Sequence, residues 1–528
     1  MKYMLVLWLI FGCTFTCLSQ DVVVMDRETK KPLSGVTLVS QNPKESAFTN
    51  SEGKAGISNF RGSEAIQIRF LGYKTLTRSY SQIEDLGFKL EMEPTRMSLD
   101  QVVISATKWR QSSGNVPSKI TTISTEEVAL QNPQTAADLL GVSGKVFVQK
   151  SQQGGGSPMI RGFATNRLVY TIDGVRMNTA IFRGGNIQNV INLDPFATES
   201  TEVLFGPGSV IYGSDAIGGV MSFQTLTPTF SLSDKPLVTG KAVTRYASAN
   251  KEKTGHIDVN VGWKKWAMVT SFSSWDYDHL RQGSHGPNDY VKGFHPERID
   301  STDVIVTQDD ELLQVPSGYS QINLMQKVRF SPNENWDFQY GFHYSETSPY
   351  GRYDRHNRMR NGAPRYAEWN YGPQSWMMNN LNITHTANNA VYDQMALRLA
   401  QQTFGESRIS RDLNQNTRER RVEDVGAYSA NLDFTKQTGA KNTIYYGVEY
   451  VRNEVKSVGT DEFIFNNLHK PDSITSGPSR YPNSTWSSLA AYVNNSLQVS
   501  DKVTLDAGLR YNQVVLESDF RNNIDFFP

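Results

Sequence analysis

From about residue 237 onward, apolar and polar positions alternate with a period of two, the spacing of a strand with one dry and one wet face. Trp336-Asp337-Phe338-Gln339-Tyr340-Gly341-Phe342-His343-Tyr344 alternates without a break. Residues 257–263 and 503–511 do the same. About eleven such segments run to the last residue. The connections between them alternate as well. Short ones fall at 264–265, 331–335, 386–390, 438–442 and 500–502, and long ones at roughly 277–318, 348–374, 405–423 and 456–485. A transmembrane barrel has this asymmetry. The aromatic face of each strand then meets lipid, and its Asp, Gln, Gly and His positions meet the lumen. A soluble multi-sheet adhesin does not predict alternating loop lengths.

The pattern before residue 237 is different. Residues 1–20 have Lys2, then an apolar run over 4–11, then a polar exit at Asp21. This reads as a signal peptide, because the run is too short to span a bilayer as a helix. Residues 21–93 carry short apolar or alternating runs separated by turn signals such as Asn50-Ser51-Glu52-Gly53. They predict a β-sandwich of about seven short strands without helices. Residues 94–115 read as a linker. Residues 116–228 mix helical and strand periods. Ser124-Thr125-Glu126-Glu127 has capping-box spacing and starts a short helix. Thr135 caps a second helix over 136–140, which ends at Gly141.

Composition removes several function classes. Fifty-three basic side chains balance 53 acidic ones, so a basic nucleic-acid surface is not expected. No later apolar run reaches the length of a membrane helix, so entry into a membrane requires a closed barrel. Both cysteines, Cys13 and Cys17, lie in the leader, which leaves the exported chain without disulfides or thiol chemistry. All eight histidines lie at or beyond His256. The glycine clusters at 154–156 and 206–208 lack a following Lys-Ser/Thr and are not phosphate loops. No catalytic site, cofactor or metal site is expected.

Four phrases carry a family resemblance. Pro158-Met159-Ile160-Arg161-Gly162-Phe163 and Tyr170-Thr171-Ile172-Asp173-Gly174-Val175-Arg176 are followed by Glu202-Val203-Leu204-Phe205-Gly206-Pro207-Gly208 and by Tyr212-Gly213-Ser214-Asp215-Ala216-Ile217-Gly218-Gly219-Val220. Together they resemble the plug domain of TonB-dependent outer-membrane receptors. Lys31-Pro32-Leu33-Ser34-Gly35-Val36, Thr49-Asn50-Ser51-Glu52-Gly53 and Phe70-Leu71-Gly72-Tyr73 resemble the non-catalytic carboxypeptidase-regulatory-like domain that precedes such receptors in Bacteroidetes-type bacteria. The implied fold is mainly β. It has a small N-terminal β-sandwich (21–93), an α/β plug domain (116–228), and the N-terminal half of a transmembrane antiparallel β-barrel (229–528) whose family form has about 22 strands. Eleven strands are half of that number, so the sequence is expected to be truncated within the barrel.

The resemblance implies site residues. Asp100, Gln101, Val102, Val103, Ile104, Ser105, Ala106 and Thr107 resemble the TonB box, a short strand that leaves the plug and pairs with a partner sheet. Arg161 and Glu202 are expected to make charged contacts between plug and barrel wall. Ligand candidates are Phe182, Arg183, Asn186 and Gln188 in a plug loop, and Arg352, Tyr353, Arg355, His356, Tyr366 and Trp369 in an external loop. Interleaved arginines and aromatics suit an anionic, partly aromatic ligand, and they equally suit lipopolysaccharide. Residues 173–186 are similar to the haem branch of the family, although this plug lacks the histidine with which those receptors often ligate haem. His279, His285 and His295 share one long loop but do not amount to a metal site.

The implied function is active transport of an iron chelate, ferric siderophore or haem, across the outer membrane of a Gram-negative cell. TonB with the ExbB/ExbD complex would supply the energy, with the N-terminal domain in the periplasm and lipid and lipopolysaccharide around the barrel. No nucleic acid is implied. The alternatives are a glycan or peptide importer of the same superfamily and a surface adhesin or signalling receptor.

Overall fold

A computed structural model of the chain describes residues 20–27, 29–70, 73, 75–93, 102–113, 116–150, 152–181, 189–465, 470–500 and 502–521. Residues 1–19 of the leader, Asp100 and Gln101, and Phe182, Arg183, Asn186 and Gln188 lie outside the described residues. The chain divides into two compact units, Met1–Gln101 and Val102–Pro528.

The first unit is two small sheets over one core. One sheet orders Lys54–Gly56, Asp21–Asp26 and Lys89–Met92; the other orders Lys44–Phe48, Thr37–Gln41, Ile66–Arg69 and Leu76–Arg78. Alternate residues point inward, so Val22, Val24, Leu38, Ile66 and Ile68 are fully buried. Each such side chain contributes roughly 1.5–3 kcal/mol. The expectation of no helix here is corrected by one over Tyr80–Asp85. Ser79 caps the Gln82 N–H and the Gln82 side chain returns to the Ser79 N–H, a capping box that the sequence contains. Tyr80 and Ile83 are buried, three positions apart, on one face of the helix.

The second unit holds a plug and a strand wall. The plug sheet orders Lys119–Ser124, Thr198–Phe205, Gly219–Thr225, Leu168–Ile172 and Val175–Arg176. Leu168–Ile172 runs parallel to Gly219–Thr225 and is buried at every residue. A strand covered on both faces reads as a continuous apolar run rather than an alternating one. The helices Thr125–Gln131 and Ala136–Val142 each begin with a capping box, from Ser124 with Glu127 and from Thr135 with Asp138. The second buries Ala136, Ala137, Leu139 and Leu140.

The wall is an antiparallel meander of eleven strands: β1 (Leu237–Ala247), β2 (Glu252–Gly262), β3 (Trp266–Tyr277), β4 (Tyr319–Asn333), β5 (Trp336–Thr347), β6 (Ser375–Thr386), β7 (Gln394–Asp412), β8 (Thr417–Gln437), β9 (Asn442–Phe463), β10 (Asn483–Ser500) and β11 (Val503–Asp519). Its polarity is inverted. Lys327 and Asp433 are fully buried against the plug, whereas Phe272, Leu324 and Leu489 are exposed on the outer face. On β5, Gly341, His343, Ser345 and Thr347 are buried while Tyr340 is exposed, as the alternation required. An outer face of this kind is stable in lipid rather than in water.

Two of the expected long loops are corrected. Residues 405–423 are mostly strand, because β7 continues to Asp412 and β8 starts at Thr417. β9 reaches Phe463, well into the expected loop at 456–485. Its 22 residues at about 3.3 Å each reach about 70 Å, far beyond an apolar band of about 25 Å. Charge density made this ribbon look like loop. Its charges are cross-strand partners instead: Arg418 with Glu462 at 2.7 Å and Arg421 with Asp461 at 3.1 Å.

Candidate functional site

The segment expected to be pulled is held by the plug. Val102–Val103 pairs with Gln111–Ser112. After Val103 the chain leaves the strand, and the Lys108 N–H closes a helical turn on the Ile104 carbonyl at 2.8 Å. The expected strand through Thr107 is therefore a two-residue strand followed by a turn. The N–H groups of Ile104 and Ser105 donate to the Glu202 carboxylate at 2.9 and 2.7 Å. Glu202 is 2% exposed on the plug strand Thr198–Phe205. Two adjacent amides on one carboxylate form charge-assisted hydrogen bonds, which are among the stronger neutral-pH contacts available to a backbone.

The wall grips the end of the same segment through Lys108. This residue has a left-handed backbone, φ 66°, and is buried. Its Nζ lies 3.4 Å from Asp433 on β8 and 3.7 Å from Glu449 on β9. It also sits over the rings of Tyr212 and Tyr492, 5.6 Å from each centroid. Arg398 and the Tyr492 hydroxyl complete Asp433, both at 2.7 Å. Arg510 at 2.6 Å and Asn431 at 2.7 Å complete Glu449. The Arg398 guanidinium returns to the Lys108 carbonyl at 3.3 Å. Pairs this deep contribute little net stability, but removing one member leaves a buried charge uncompensated at roughly 3–5 kcal/mol.

A second charged contact joins plug and wall at Asp173. Asp173 and Gly174 have φ 50° and 80°, the two successive left-handed residues of a tight hairpin turn. The Asp173 carboxylate accepts from the Thr225 N–H at 3.0 Å and the Thr225 hydroxyl at 2.8 Å. Lys327 on β4 meets it at 2.8 Å and His343 on β5 at 3.6 Å. Burial opposes ionisation of Asp173, but the charges of Lys327 and His343 and the Thr225 N–H outweigh it and hold the carboxyl below its usual range. A Cβ at Gly174 would lie 2.8 Å from Arg398 Nε, so a side chain there would displace the Arg398 guanidinium.

The expected coupling pair is thus replaced. Glu202 binds the amides of the box segment. Arg161 is exposed on a turn with φ 49° and stacks over Phe205 at 5.9 Å. Charges that do reach the wall include Lys108 and Asp173, and Asp194 of the plug accepts from the Ser273 hydroxyl of β3 at 2.6 Å.

The external candidates gather in part. Trp369 is ringed by the guanidiniums of Arg352, Arg355 and Arg408 at 5.1, 5.4 and 5.4 Å. Arg352 also donates to the Tyr371 hydroxyl at 3.1 Å. Tyr353 and His356 belong to a helical turn, and they, Arg352, Tyr366 and Trp369 are all buried rather than presented. The Tyr353 hydroxyl donates to the Tyr290 carbonyl at 2.9 Å. Burial pulls the His356 imidazole down to about 4 and the neighbouring Lys292 ammonium down to about 8. Tyr366 lies under Arg365, 4.7 Å away. His279, His285 and His295 each have separate partners, and among the described residues no group of His, Cys, Asp and Glu is placed to hold a metal.

The family model for the TonB-dependent Receptor Plug Domain matches residues 112–220, and that for the CarboxypepD_reg-like domain matches residues 23–104. Over these two segments the chain is similar to the TonB-dependent receptors. Among curated proteins, the vitamin B12 transporter BtuB of Vibrio vulnificus is 35% identical over 130 residues, which are 24% of this chain and 21% of that one. The hemin receptor of Yersinia pestis is 28% identical over 201 residues, 36% of this chain and 28% of that one. The chain therefore spans only a fifth to under a third of the length of these relatives. These relatives are transporters and receptors rather than enzymes. Two solved structures share the fold. The ferripyoverdine receptor of the Pseudomonas aeruginosa outer membrane has a TM-score of 0.54 at 11% identity, covering 95% of this chain and 63% of that one. The copper transporter OprC has a TM-score of 0.56 at 14% identity, covering 76% and 55%. Receptors of this family sit in the outer membrane as β-barrels, in keeping with the inverted wall. Among the described residues no helix is long and apolar enough to cross a membrane.

Proposed function

We propose that this receptor takes up an anionic iron chelate, a ferric siderophore or haem, across the outer membrane, driven by TonB with ExbB and ExbD. The observation that carries the proposal is the double hold on residues 102–108. Glu202 of the plug binds its amides and the Asp433–Glu449 pair of the wall binds its lysine. A pull on this segment loads plug and wall together, which is what a transporter worked from its periplasmic end requires. Domain assignments follow the same reading: 1–20 leader, 21–93 periplasmic sandwich, 94–115 linker and box, 116–228 plug and 229–528 wall.

Growth in iron-limited medium tests this. A strain lacking the gene is expected to lose growth on one ferric siderophore or on haem. The intact gene restores growth, and a version without residues 102–107 does not. Equal growth of all strains on every iron source would refute iron uptake, and a defect confined to a glycan source would move the ligand to another class.

A further inference from the structure

The seam between plug and wall is not uniform. Over much of its area it is apolar: Trp376, Met378, Phe404, Val425 and Val455 of the wall join the plug core. Facing β4 to β7 it is hollow and charged. A cavity of about 380 Å³ lies there, walled by Arg329, Asp337, Gln339, Asn382 and Arg398 and by Gln224 of the plug. Its floor is Ile104, Lys108, Trp109 and Arg110. Below it a cleft of about 820 Å³ shares Trp109, Arg110 and Gln394 and opens among the short turns at Asn335, Ala387 and Gly439. Above it a small cavity of about 30 Å³ continues along the same strands, at Ile172, Phe223, Asn323 and Met325. The Asp173–Lys327–His343 contact separates the upper cavity from the lower one.

We infer that the passage opened by pulling runs along this seam, with the Asp173–Lys327–His343 cluster as its constriction and residues 104–110 as its removable floor. The inference rests on the TonB-driven transport proposed above and adds its route. Three features carry it. The pulled segment is itself the cavity floor, so drawing it out enlarges the space without unfolding the plug. Arg398 touches both the Lys108 carbonyl and the Asp433 carboxylate and lies beside Gly174, the neighbour of Asp173, so one side chain spans floor and constriction. The constriction is polar, so water can replace its contacts as it opens, whereas parting the apolar seam would expose hydrophobic surface to water.

Residues 18–528 contain no cysteine, so single thiols placed there report the route. Asn323→Cys and Met325→Cys place a thiol above the constriction, Ala490→Cys places one on the inner face of β10, and Ser105→Cys reports the box. Cells making each variant are treated with a small maleimide that enters the periplasm. Labelling at 105, 323 and 325 should be on the order of tenfold faster in energised cells with TonB than without, a coupling of ordinary size, and labelling at 490 should not change. Faster labelling at 105 and 490 with none at 323 and 325 would overturn the route and leave transport standing. No response at any position, 105 included, would overturn the transport reading beneath it. Asp173→Asn gives a second check: it should make the thiol of Met325→Cys reactive even without TonB, and continued protection would contradict the constriction.

Discussion

The N-terminal sandwich and the barrel wall are written in the same period-two alternation, yet they resolve it in opposite directions. In the sandwich, Ile66 and Ile68 point into the core and Gln67 points to water. In the wall, Ser271 and Ser273 point into the molecule and Phe272 points out. Periodicity fixes which residues share a face; the surrounding solvent decides which face is buried. Short strands with dry interiors make a soluble unit, and long strands with polar interiors make a wall whose contents must be polar too. That is why the plug can be held by charges such as Lys108 and Asp173, where the sandwich is held by valine, leucine and isoleucine.

The comparison breaks hardest at Ile68. Ile68→Asp should unfold the sandwich at a cost of at least about 4 kcal/mol, seen as rapid limited proteolysis of residues 21–93 with the wall intact. Gln67→Asp should leave the sandwich resistant. Next in size, Phe272→Arg on the outer face of β3 should destabilise the membrane-inserted form by roughly 2–4 kcal/mol in a refolding titration, a change with no counterpart for Gln67→Arg. Tolerance of Phe272→Arg would mean that this face does not meet lipid.

The external loops sharpen the contrast through pH. His356 is buried and its imidazole lies at about 4 rather than 6.5. The released loop therefore binds a proton between these values that the packed loop does not. Packing is fully stabilised above pH 6.5, weakens as pH falls towards 4, and loses at most about 3 kcal/mol. Trp369 fluorescence should report a transition in that window, and His356→Gln should remove it. The smallest effect is at Ser79, where Ser79→Ala should cost the sandwich about 1 kcal/mol in thermal unfolding through loss of the helix cap.

Local chemistry was legible in the sequence. The caps at Ser124 and Thr135 and the alternation of β5 follow from residues within a few positions of one another. The Ser79-x-x-Gln82 box was equally local, but the strand pattern around it concealed it. Long-range partners were not legible. Asp433 meets Lys108 across 325 positions, and nothing near Lys108 announces it. Glu202 was singled out with the wrong partner, because an acidic residue in a plug strand says nothing about whether it faces a cation or two amides. The β7–β9 ribbon was misread because Arg and Glu usually mark loops, and only cross-strand register turns them into pairs.

The central claim is that Glu202 and Lys108 together hold the box segment to plug and wall. Hydrogen exchange at the Ile104 and Ser105 amides in the membrane-inserted receptor, without TonB, measures that hold directly. Glu202→Gln and Lys108→Met should each accelerate exchange at both amides by about tenfold or more, while the amides of β8 and β9 stay protected. Unchanged exchange in both variants would contradict the account.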